Sequence, residues 1–524
     1  MNRGEVNTIK RTVSTGVEEV LRTANLNEKK DALKWEATDW GAVEQFINKA
    51  QTRIAKAQAK GNKKLARELQ RMLTHSHYAK LWAIRKVTGT KGRRTAGIDN
   101  EKWETPAKKW QAVSKLNEKH YKAKPLKRVY IPKKNGKMRP LSIPTMTDRA
   151  KQALEALALD PIIETTSDKH SFGFRKGRSS HDAQAQLFIS LAKKTSPEWI
   201  VEGDIKACFD EIAHEWLMQN TPMDKTILKE FLEAGYVYES KLFPTGRGTP
   251  QGGTISPILA NHTLNGLEKL LECHYPKEHT GKGKTYRTVK PKVHLVRYAD
   301  DLIITAPTIE RAEQIKETVK QHMAARGLQL SEEKTLITNI ADGFDFLGWN
   351  FRKYKGKLLI KPSKKAQQNV MEKIRQVINQ SKARTQDELI RMLNPIIRGW
   401  CNYHQGTVAK EIFSRINHET FKTLWRWACR RHPNKGLRWI KARYWKTEGK
   451  RRWVFKDKLT LLHPGDTKII RHIPLKLDMN PYTDRDYFYF RKLKLLVNRN
   501  YGTARKQKDA KAGESPKDAR LLEA

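Results

Sequence analysis

Hydrophobic residues recur at intervals of three and four from Thr38 onward, as Val43, Ile47 and Ile54 illustrate. This spacing places apolar side chains on one face of an α-helix. The pattern is interrupted at 89–99 by the Gly-rich, basic segment GTKGRRTAGID, which predicts a loop. The first part of the chain is therefore predicted to be helical, with lysines and arginines on its outer faces.

The period then changes to that of β-strands. Val129–Ile131 and Met138–Ile143 flank an Asn-Gly turn, a combination typical of a β-hairpin. Trp199–Asp204 is a short apolar run that ends in a carboxylate. In Val293–Thr305 (VHLVRYADDLIIT), β-branched and aromatic residues stand on both sides of an acidic break, which predicts a second hairpin. Helices and strands together indicate an α+β fold.

Helical periodicity returns in three segments, Val370–Ile378, Leu389–Tyr403 and Ile412–Arg431. Residues 361–455 contain 23 lysines and arginines against 6 aspartates and glutamates. Because arginines alternate there with tryptophan and tyrosine, the region has the composition of a surface that binds phosphates and stacks bases. The alternative is a three-helix bundle with an aromatic core and an ordinary basic exterior.

The net charge strengthens the first of these interpretations. The 524 residues include 103 Lys and Arg against 56 Asp and Glu, a formal charge of +47. Such an excess disfavours a compact state unless a polyanion neutralises it, so we expect a nucleic-acid partner, with an anionic membrane surface as the weaker alternative. No apolar run of about 18 residues predicts a membrane span. An N-terminus without an apolar signal core, and four scattered cysteines without a CxxC pair, favour a reducing, cytoplasmic setting.

Three carboxylates predict a metal-binding catalytic site. Asp300 and Asp301 are adjacent at the tip of the second hairpin, and Asp204 ends the isolated strand. Adjacent anions repel each other unless a multivalent cation lies between them. Enzymes that catalyse nucleophilic displacement at phosphorus bind Mg²⁺ through carboxylates, which must be held on rigid elements. For the Asp-Asp pair alone, a solvated acidic turn is the alternative.

Other residues have two open interpretations. Lys133 and Arg139 belong either to a basic hairpin that folds over a triphosphate or to an ordinary surface hairpin. Phe209, five residues after Asp204, either presses against a nucleotide sugar or belongs to the core. Arg175 and Arg178, in a Gly-rich loop, contact a template phosphate or cap nearby carbonyls. Gln251 and its glycine neighbours suit packing against a base pair.

Seven motifs, in one order along the chain, resemble those of bacterial group II intron reverse transcriptases and maturases. They are IPKKNGKMRPLSIPTMTDRA, SFGFRKGRS, GDIKACFDEI, GTPQGGTISPILAN, RYADD, GLQLSEEKT and FDFLGW. LNPIIRGWCNYH, at 393–404, resembles the signature of the family's maturase domain X, or thumb. The resemblance extends from about residue 38 to residue 453.

The resemblance implies a right-hand polymerase, with fingers and palm around a small antiparallel sheet, a helical N-terminal extension and a basic helical thumb. The expected regions are a flexible lead-in (1–37), the helical extension with its basic loop (38–120), fingers and palm (121–360), domain X or thumb (361–455), and a DNA-binding-like region with a disordered tail (456–524).

By the same resemblance, Asp204, Asp300 and Asp301 are the catalytic and metal-binding triad, holding two Mg²⁺ ions. Lys133, Arg139, Phe209 and Gln251 are the expected dNTP contacts, Phe209 being the sugar gate. The residues expected to bind RNA are Arg175, Arg178, Arg398, Trp400, Tyr403, Arg426, Arg430 and Arg431.

The implied activity is RNA-directed DNA polymerisation, coupled to binding of the intron RNA, assistance of its splicing, and target-primed cDNA synthesis. Expected partners are the group II intron RNA, target DNA with a primer 3′ end, and dNTPs, in a nucleoid-associated ribonucleoprotein with one or two protein copies and no membrane. Many relatives end in an HNH nuclease, but no cysteine follows Cys429, so we expect none here. Either that module was lost or trimmed, or priming uses another 3′ end.

Two rival functions remain. One is a splicing cofactor with an inactive palm, which the retained Asp300 and Asp301 disfavour. The other is a retron or defence-associated reverse transcriptase, which LNPIIRGWCNYH disfavours.

Overall fold

In a computed structural model of the protein, the residues that can be described are 26–117, 120–132, 136, 138–276, 278–280, 287–289 and 291–510. After a helix at 26–36, the helices of their N-terminal half are α1 (Trp40–Ala59), α2 (Lys63–His75), α3 (His77–Thr88), α4 (Pro106–Lys115), α5 (Met146–Thr166), α6 (Ser180–Leu191), α7 (Cys208–Glu211), α8 (His214–Asn220) and α9 (Lys225–Glu233). Those of the C-terminal half are α10 (Ser256–Leu264), α11 (Leu267–His274), α12 (Ile309–Ala324), α13 (Lys364–Gln380), α14 (Gln386–His404), α15 (Lys410–Arg431), α16 (Leu437–Tyr444) and α17 (Arg485–Ala510).

The strands of the N-terminal half are β1 (Leu126–Pro132), β2 (Met138–Ile143), β3 (Trp199–Asp204), β4 (Tyr236–Tyr238) and β5 (Lys241–Phe243). The remaining strands are β6 (Glu278–Thr280), β7 (Arg287–Val289), β8 (Leu295–Tyr298), β9 (Asp301–Ala306), β10 (Leu336–Asn339), β11 (Phe344–Phe346), β12 (Trp349–Tyr354), β13 (Lys357–Pro362), β14 (Trp445–Glu448) and β15 (Arg451–Phe455). Helices and small, mostly antiparallel sheets give the α+β architecture.

The N-terminal helices form a layer around α5. Asp39, Asn62 and Ser76 cap α1, α2 and α3 by accepting hydrogen bonds from free backbone amides of the first turn. The apolar stripes of these helices, including the fully buried Val43 and Ile84, pack against α5. Since α5 is buried along almost its whole length, it forms the common core of this layer and the neighbouring sheets.

The lead-in predicted to be flexible as far as residue 37 requires a correction. Residues 26–36 form a helix, and residues 1–25 lie outside the described part of the chain. Trp35 is buried, with its ring 4.9 Å from that of Trp40 and with Lys109 over its face. Burial of an aromatic side chain of this size stabilises the ordered segment.

Two sheets of four strands follow. The first has the order β2-β1-β4-β5, and its β1–β2 hairpin is the one predicted around the Asn-Gly turn. The second, which we call the palm sheet, has the order β10-β3-β9-β8. Helices α10, α11 and α12 contribute to the apolar core beside it, which includes Val201, Leu302 and Ile304. Ile200 and Ile303 of the same strands belong to a second apolar core, so the palm sheet is buried on both faces.

The thumb region, α13 to β15, packs on the small sheet β11-β12-β13. Tyr403 of α14 stacks on Trp349 with ring centroids 4.5 Å apart and planes 6° from parallel. The Tyr403 hydroxyl donates to the Leu347 carbonyl at 2.9 Å. The FDFLGW motif is thus part of the junction between palm and thumb.

Residues 471–491, which we call the strap, run from the thumb back across the rest of the molecule. His472 and Arg491 both contact the Asp182 carboxylate at the start of α6. The Tyr482 hydroxyl donates to Asp160 of α5, and the Arg485 guanidinium donates to the Asn48 carbonyl of α1 at 2.7 Å. This segment, predicted to be DNA-binding-like, connects three regions of the protein. Residues 511–524 of the expected disordered tail lie outside the described part of the chain.

Across the described helices, none combines the length and the apolar character needed to cross a bilayer.

Candidate active site and nucleic-acid interface

The pairing of β3 with β9 brings the three predicted aspartates to one end of the palm sheet. Asp204 lies directly opposite Asp301 in the antiparallel register. Side chains paired in this way have Cβ atoms about 5 Å apart. Asp300 precedes Asp301 in a turn that depends on Ala299, whose φ of +57° is in the left-handed region. Ala299, Asp300 and Asp301 are called the acidic turn below.

The electrostatics of this cluster are those of crowded anions. Loss of hydration, followed by the negative charges of Asp300 and Asp204, raises the pKa of Asp301 to about 6. The nearby ammonium of Lys334 acts in the opposite direction on that pKa. Its two acidic neighbours therefore make ionisation of Asp301 less favourable, and the cluster attracts positive charge.

Lys334 is a site residue that the sequence interpretation missed. Its Nζ lies 2.8 Å from Oδ2 of Asp204, and this hydrogen bond is the first cause of its raised pKa. The Ser331 amide donates to the Asp204 carbonyl at 2.8 Å, which fixes the loop that carries Lys334. The motif GLQLSEEKT was recognised, but its contact with β3 depends on β10 lying at the edge of the palm sheet.

The donor set suits Mg²⁺, because carboxylate oxygens are the ligands that this hard cation prefers. As positioned, however, the side chains leave no group of three or more His, Cys, Asp or Glu in the described residues arranged to hold a metal ion. The Asp204 carboxylate is instead bound to Lys334. The three aspartates thus supply suitable ligands, and a cationic side chain already contacts one of them.

The Gly-rich loop at 246–253, which contains Gln251, packs against the turn that follows β3. The Thr249 amide donates to the Phe209 carbonyl at 2.6 Å, and Gln251 Nε2 donates to Oδ2 of Asp210 at 3.0 Å. A Cβ atom at Gly248 would lie 2.5 Å from the Asp210 carbonyl oxygen, so only glycine permits this approach. The loop that carries Gln251 is therefore bonded to the turn that carries Phe209.

Phe209 combines features of both of its interpretations. It is half-buried against the palm core, and its ring meets the edge of Phe174 at 6.3 Å. Phe174 itself is 56% exposed. Arg139 lies exposed on β2, opposite Ile131. Lys133 lies outside the described residues.

Arg175 and Arg178 are engaged inside the protein. Arg175 donates through Nε and Nη2 to both carboxylate oxygens of Glu164, at 2.7 and 2.8 Å, and through Nη1 to the carbonyls of Asp168 and Ser171. Arg178 donates to Glu164 at 2.9 Å, and its side chain is 2% exposed. Arg175 therefore caps nearby carbonyls, which was the alternative to contact with a template phosphate. Both arginines hold the SFGFRKGRS loop to α5.

The thumb residues expected to bind RNA occupy different environments. Tyr403 is the stacking partner of Trp349, and Trp400 packs half-buried against the thumb core. Arg398 is exposed on α14. Arg426 and Arg430 are exposed on α15 and border a groove together with Arg431.

This groove, called the thumb groove, is a cavity of about 410 Å³ between α13 and α15. Its lining consists of Arg375, Ile378, Asn379, Lys382, Thr423, Arg426, Trp427, Arg430 and Arg431. Five of these side chains are cationic, and among the described residues none in the lining is acidic. Glu419 approaches Arg375 at 3.6 Å from outside the lining. Arg431 is fixed by donating to the carbonyls of Lys382 and Arg384.

The groove is far from the junction with the palm. Lys382 lies just before the start of α14, whereas Tyr403 is near its end. A rise of ~1.5 Å per residue gives about 25 Å between the two ends of this helix. The molecule therefore has an acidic site on the palm and a separate cationic site at the far end of the thumb.

Comparison with known proteins agrees with this arrangement. Residues 131–351 match the family described as "Reverse transcriptase (RNA-dependent DNA polymerase)", residues 35–116 match "N-terminal domain of reverse transcriptase", and residues 367–445 match "Group II intron, maturase-specific domain". The class of protein is thus a reverse transcriptase, a right-hand polymerase that makes DNA from an RNA template.

The chain belongs to the group II intron-encoded reverse transcriptase and maturase family. It is 30% identical over 463 residues to the group II intron-encoded protein LtrA of Lactococcus lactis subsp. cremoris, covering 72% of this chain and 74% of LtrA. It is also 31% identical over 334 residues to the protein YkfC of Escherichia coli K12, covering 58% of this chain and 87% of YkfC. The expected family, fold class and enzyme activity are confirmed.

Proposed function

We propose that Asp204, Asp300 and Asp301 form the catalytic, metal-binding site for synthesis of DNA on an intron RNA template, primed by a 3′ end of the target DNA. The observation that carries the proposal is the direct cross-strand pairing of Asp204 with Asp301 beside the acidic turn. Two Mg²⁺ ions, when bound, would lower the pKa of the primer 3′-hydroxyl and neutralise the leaving pyrophosphate. The protein's own part is to hold three carboxylates at the end of one rigid sheet.

The remaining groups would position the substrates. Arg139, with Lys133, would contact the triphosphate of the incoming dNTP as a charge-assisted donor. Gln251, oriented by its bond to Asp210, would lie beside the nascent base pair. Phe209 would exclude a ribose 2′-hydroxyl. Lys334 would balance the charge of Asp204 until the carboxylate has another cationic partner.

Primer extension on an RNA template tests the catalytic assignment. Asp301→Ala should lower the rate by about 10³-fold or more, because metal-assisted charge stabilisation contributes several kcal/mol. Asp342→Ala removes an exposed acid outside the cluster and serves as the control, with wild-type activity expected. If Asp301→Ala extends primers like the control, the assignment of the triad is wrong.

For the RNA partner, we propose that the thumb groove binds phosphates of the intron RNA. Five cations around one cavity repel each other, so phosphate groups that enter it relieve this repulsion and release counterions. The distance from the palm leaves room for this RNA and for a primer–template duplex at the acidic turn. The particle would work in the cytoplasm, on the nucleoid, with one or two protein copies.

Two measurements test the partner. RNA that copurifies with the protein should include the intron when sequenced. Splicing of that intron at low Mg²⁺ should require the protein. Splicing that is independent of the protein would favour a reverse transcriptase without a maturase role.

A further inference from the structure

Arg297 lies beneath the acidic turn and is completely buried, with 0% exposure. Its Nη1 donates to the Ala299 carbonyl and to Oδ1 of Asn261, both at 3.1 Å. Its Nη2 donates to Oδ1 of Asn265 at 3.0 Å. One guanidinium therefore joins the backbone of the acidic turn to two side chains at α10, since Asn265 directly follows that helix.

The backbone of Arg297 makes a second set of connections. Its amide donates to the His170 carbonyl, and its carbonyl accepts from the Phe172 amide, both at 2.9 Å. Asn261, besides accepting from Arg297, donates to the Gly173 carbonyl at 2.9 Å. The SFGFRKGRS loop, α10 and β8 are thus connected through a single residue.

This arrangement leaves the acidic turn little freedom. A Cβ atom at Gly173 would lie 2.3 Å from the Ala299 amide nitrogen, so the loop presses directly on the turn. Ala299 is held in the left-handed region, which is unfavourable for alanine without support from its surroundings. The hydrogen bond from Arg297 to the Ala299 carbonyl supplies such support from below.

The buried charge of Arg297 is partly accommodated, since its Nη atoms are bonded and its Nε has no hydrogen-bond partner among the described residues. Burial lowers its pKa to about 10, and the negative charge of Asp168 acts against this shift. Asp168 in turn accepts from the Gly266 amide through both oxygens, at 3.1 Å. An arginine kept charged in a closed interior is geometrically constrained, because each lost contact leaves a buried donor without a partner.

We propose that Arg297 is a positioning residue for the polymerase reaction, which sets the location of Asp300 and Asp301 relative to Asp204. It touches no substrate, so its contribution is to the chemical step rather than to binding of RNA or dNTP. This inference rests on the catalytic role proposed for the acidic turn.

The test compares Arg297→Lys with the matched control Arg326→Lys. Arg326 is another palm arginine whose guanidinium donates to two carbonyls, those of Thr263 and His322, both at 2.7 Å, but not to the acidic turn. Arg297→Lys should lower kcat for primer extension by up to about 100-fold, the effect of a displacement of about 1 Å in an active site. KM for dNTP and RNA affinity should change less than about threefold. Arg326→Lys should keep kcat within about threefold of wild type.

A milder variant covers the case in which Arg297→Lys does not fold. Asn265→Ala removes one acceptor of Arg297, and a smaller fall in kcat with unchanged KM is expected. An unchanged kcat in the folded Arg297 or Asn265 variant overturns the proposal. So does an equal loss of kcat in the Arg297 and Arg326 variants at equal loss of Tm. Because Asp301→Ala is measured separately, failure of the triad assignment is distinguished from failure of the role of Arg297.

Discussion

The palm and the thumb use charge in opposite ways. On the palm, charged and polar groups are held by partners within the protein: Lys334 binds Asp204, and Arg297 donates to the backbone of the acidic turn. In the thumb groove, five cationic side chains border a cavity that has no acidic lining among the described residues. The first arrangement fixes the positions of individual groups, whereas the second provides a positive electrostatic potential. Chemistry requires the former, and binding of a flexible polyanion requires only the latter.

Among changes that leave the three aspartates intact, a large effect is expected on sugar selectivity at the palm. Phe209→Val should lower discrimination against ribonucleotides by about 100-fold, the range in which a pocket rejects one added hydroxyl. RNA affinity should not change, since the groove is distant. Incorporation of single ribo- and deoxynucleotides measures the ratio.

Phe231→Val is the matched control for this change, because Phe231 is 3% exposed in the palm core. It should lower stability and leave sugar selectivity intact. If both variants keep wild-type selectivity, Phe209 is a core residue and the sugar gate lies elsewhere.

The next effect concerns the groove. The double change Arg426→Gln and Arg430→Gln should weaken RNA binding by about tenfold at moderate salt, because two phosphate contacts are lost. The slope of log affinity against log salt should become shallower by about two. Extension of a short primer–template should persist.

Arg415→Gln, on the exposed face of the same helix, is the control with an equal change of charge at one site. A loss of RNA affinity as large in this control as in each single groove variant would mean that only net charge matters. Equal loss of primer–template affinity in the double variant would instead place the duplex in the groove.

The smallest expected effect is on the free energy of unfolding, and it tests the repulsion between carboxylates at the acidic turn. Because the raised pKa of Asp301 means that the folded state takes up its proton more readily than the unfolded state, stability is lost as pH rises through about 6. In EDTA, Asp301→Asn should be more stable than wild type at pH 7, by about 1 kcal/mol after allowance for solvent screening. The difference should disappear as pH falls to about 4. A difference that does not vary with pH would contradict the proposed repulsion.

The same contrast explains what could be predicted from sequence. The acidic hairpin was predictable because its alternation and its paired aspartates lie within Val293–Thr305. The partner of Asp204 was not, because Lys334 reaches it only through the order β10-β3-β9. Arg175 has the local sequence of a phosphate-binding residue, and it is instead bound inside the protein by Glu164 of α5.

The aromatic residues of the thumb show the same limit. Spacing alone does not distinguish Tyr403, which stacks on Trp349, from a residue that stacks on a base. The helix at 26–36 was missed because its polar residues outnumber the apolar ones, and Trp35 is buried only through contacts made by other segments. Local chemistry was therefore readable from sequence, whereas the choice between interior and exterior was not.

The strap has a consequence for how the enzyme is made. Residues 471–491 leave the ribosome after every segment that they contact, including α1, α5 and α6. Until His472 and Arg491 reach Asp182, the nascent thumb lacks this tether and is joined to the palm by the Tyr403 junction and its neighbours. The order of synthesis thus provides an interval in which the thumb is joined to the palm without the strap.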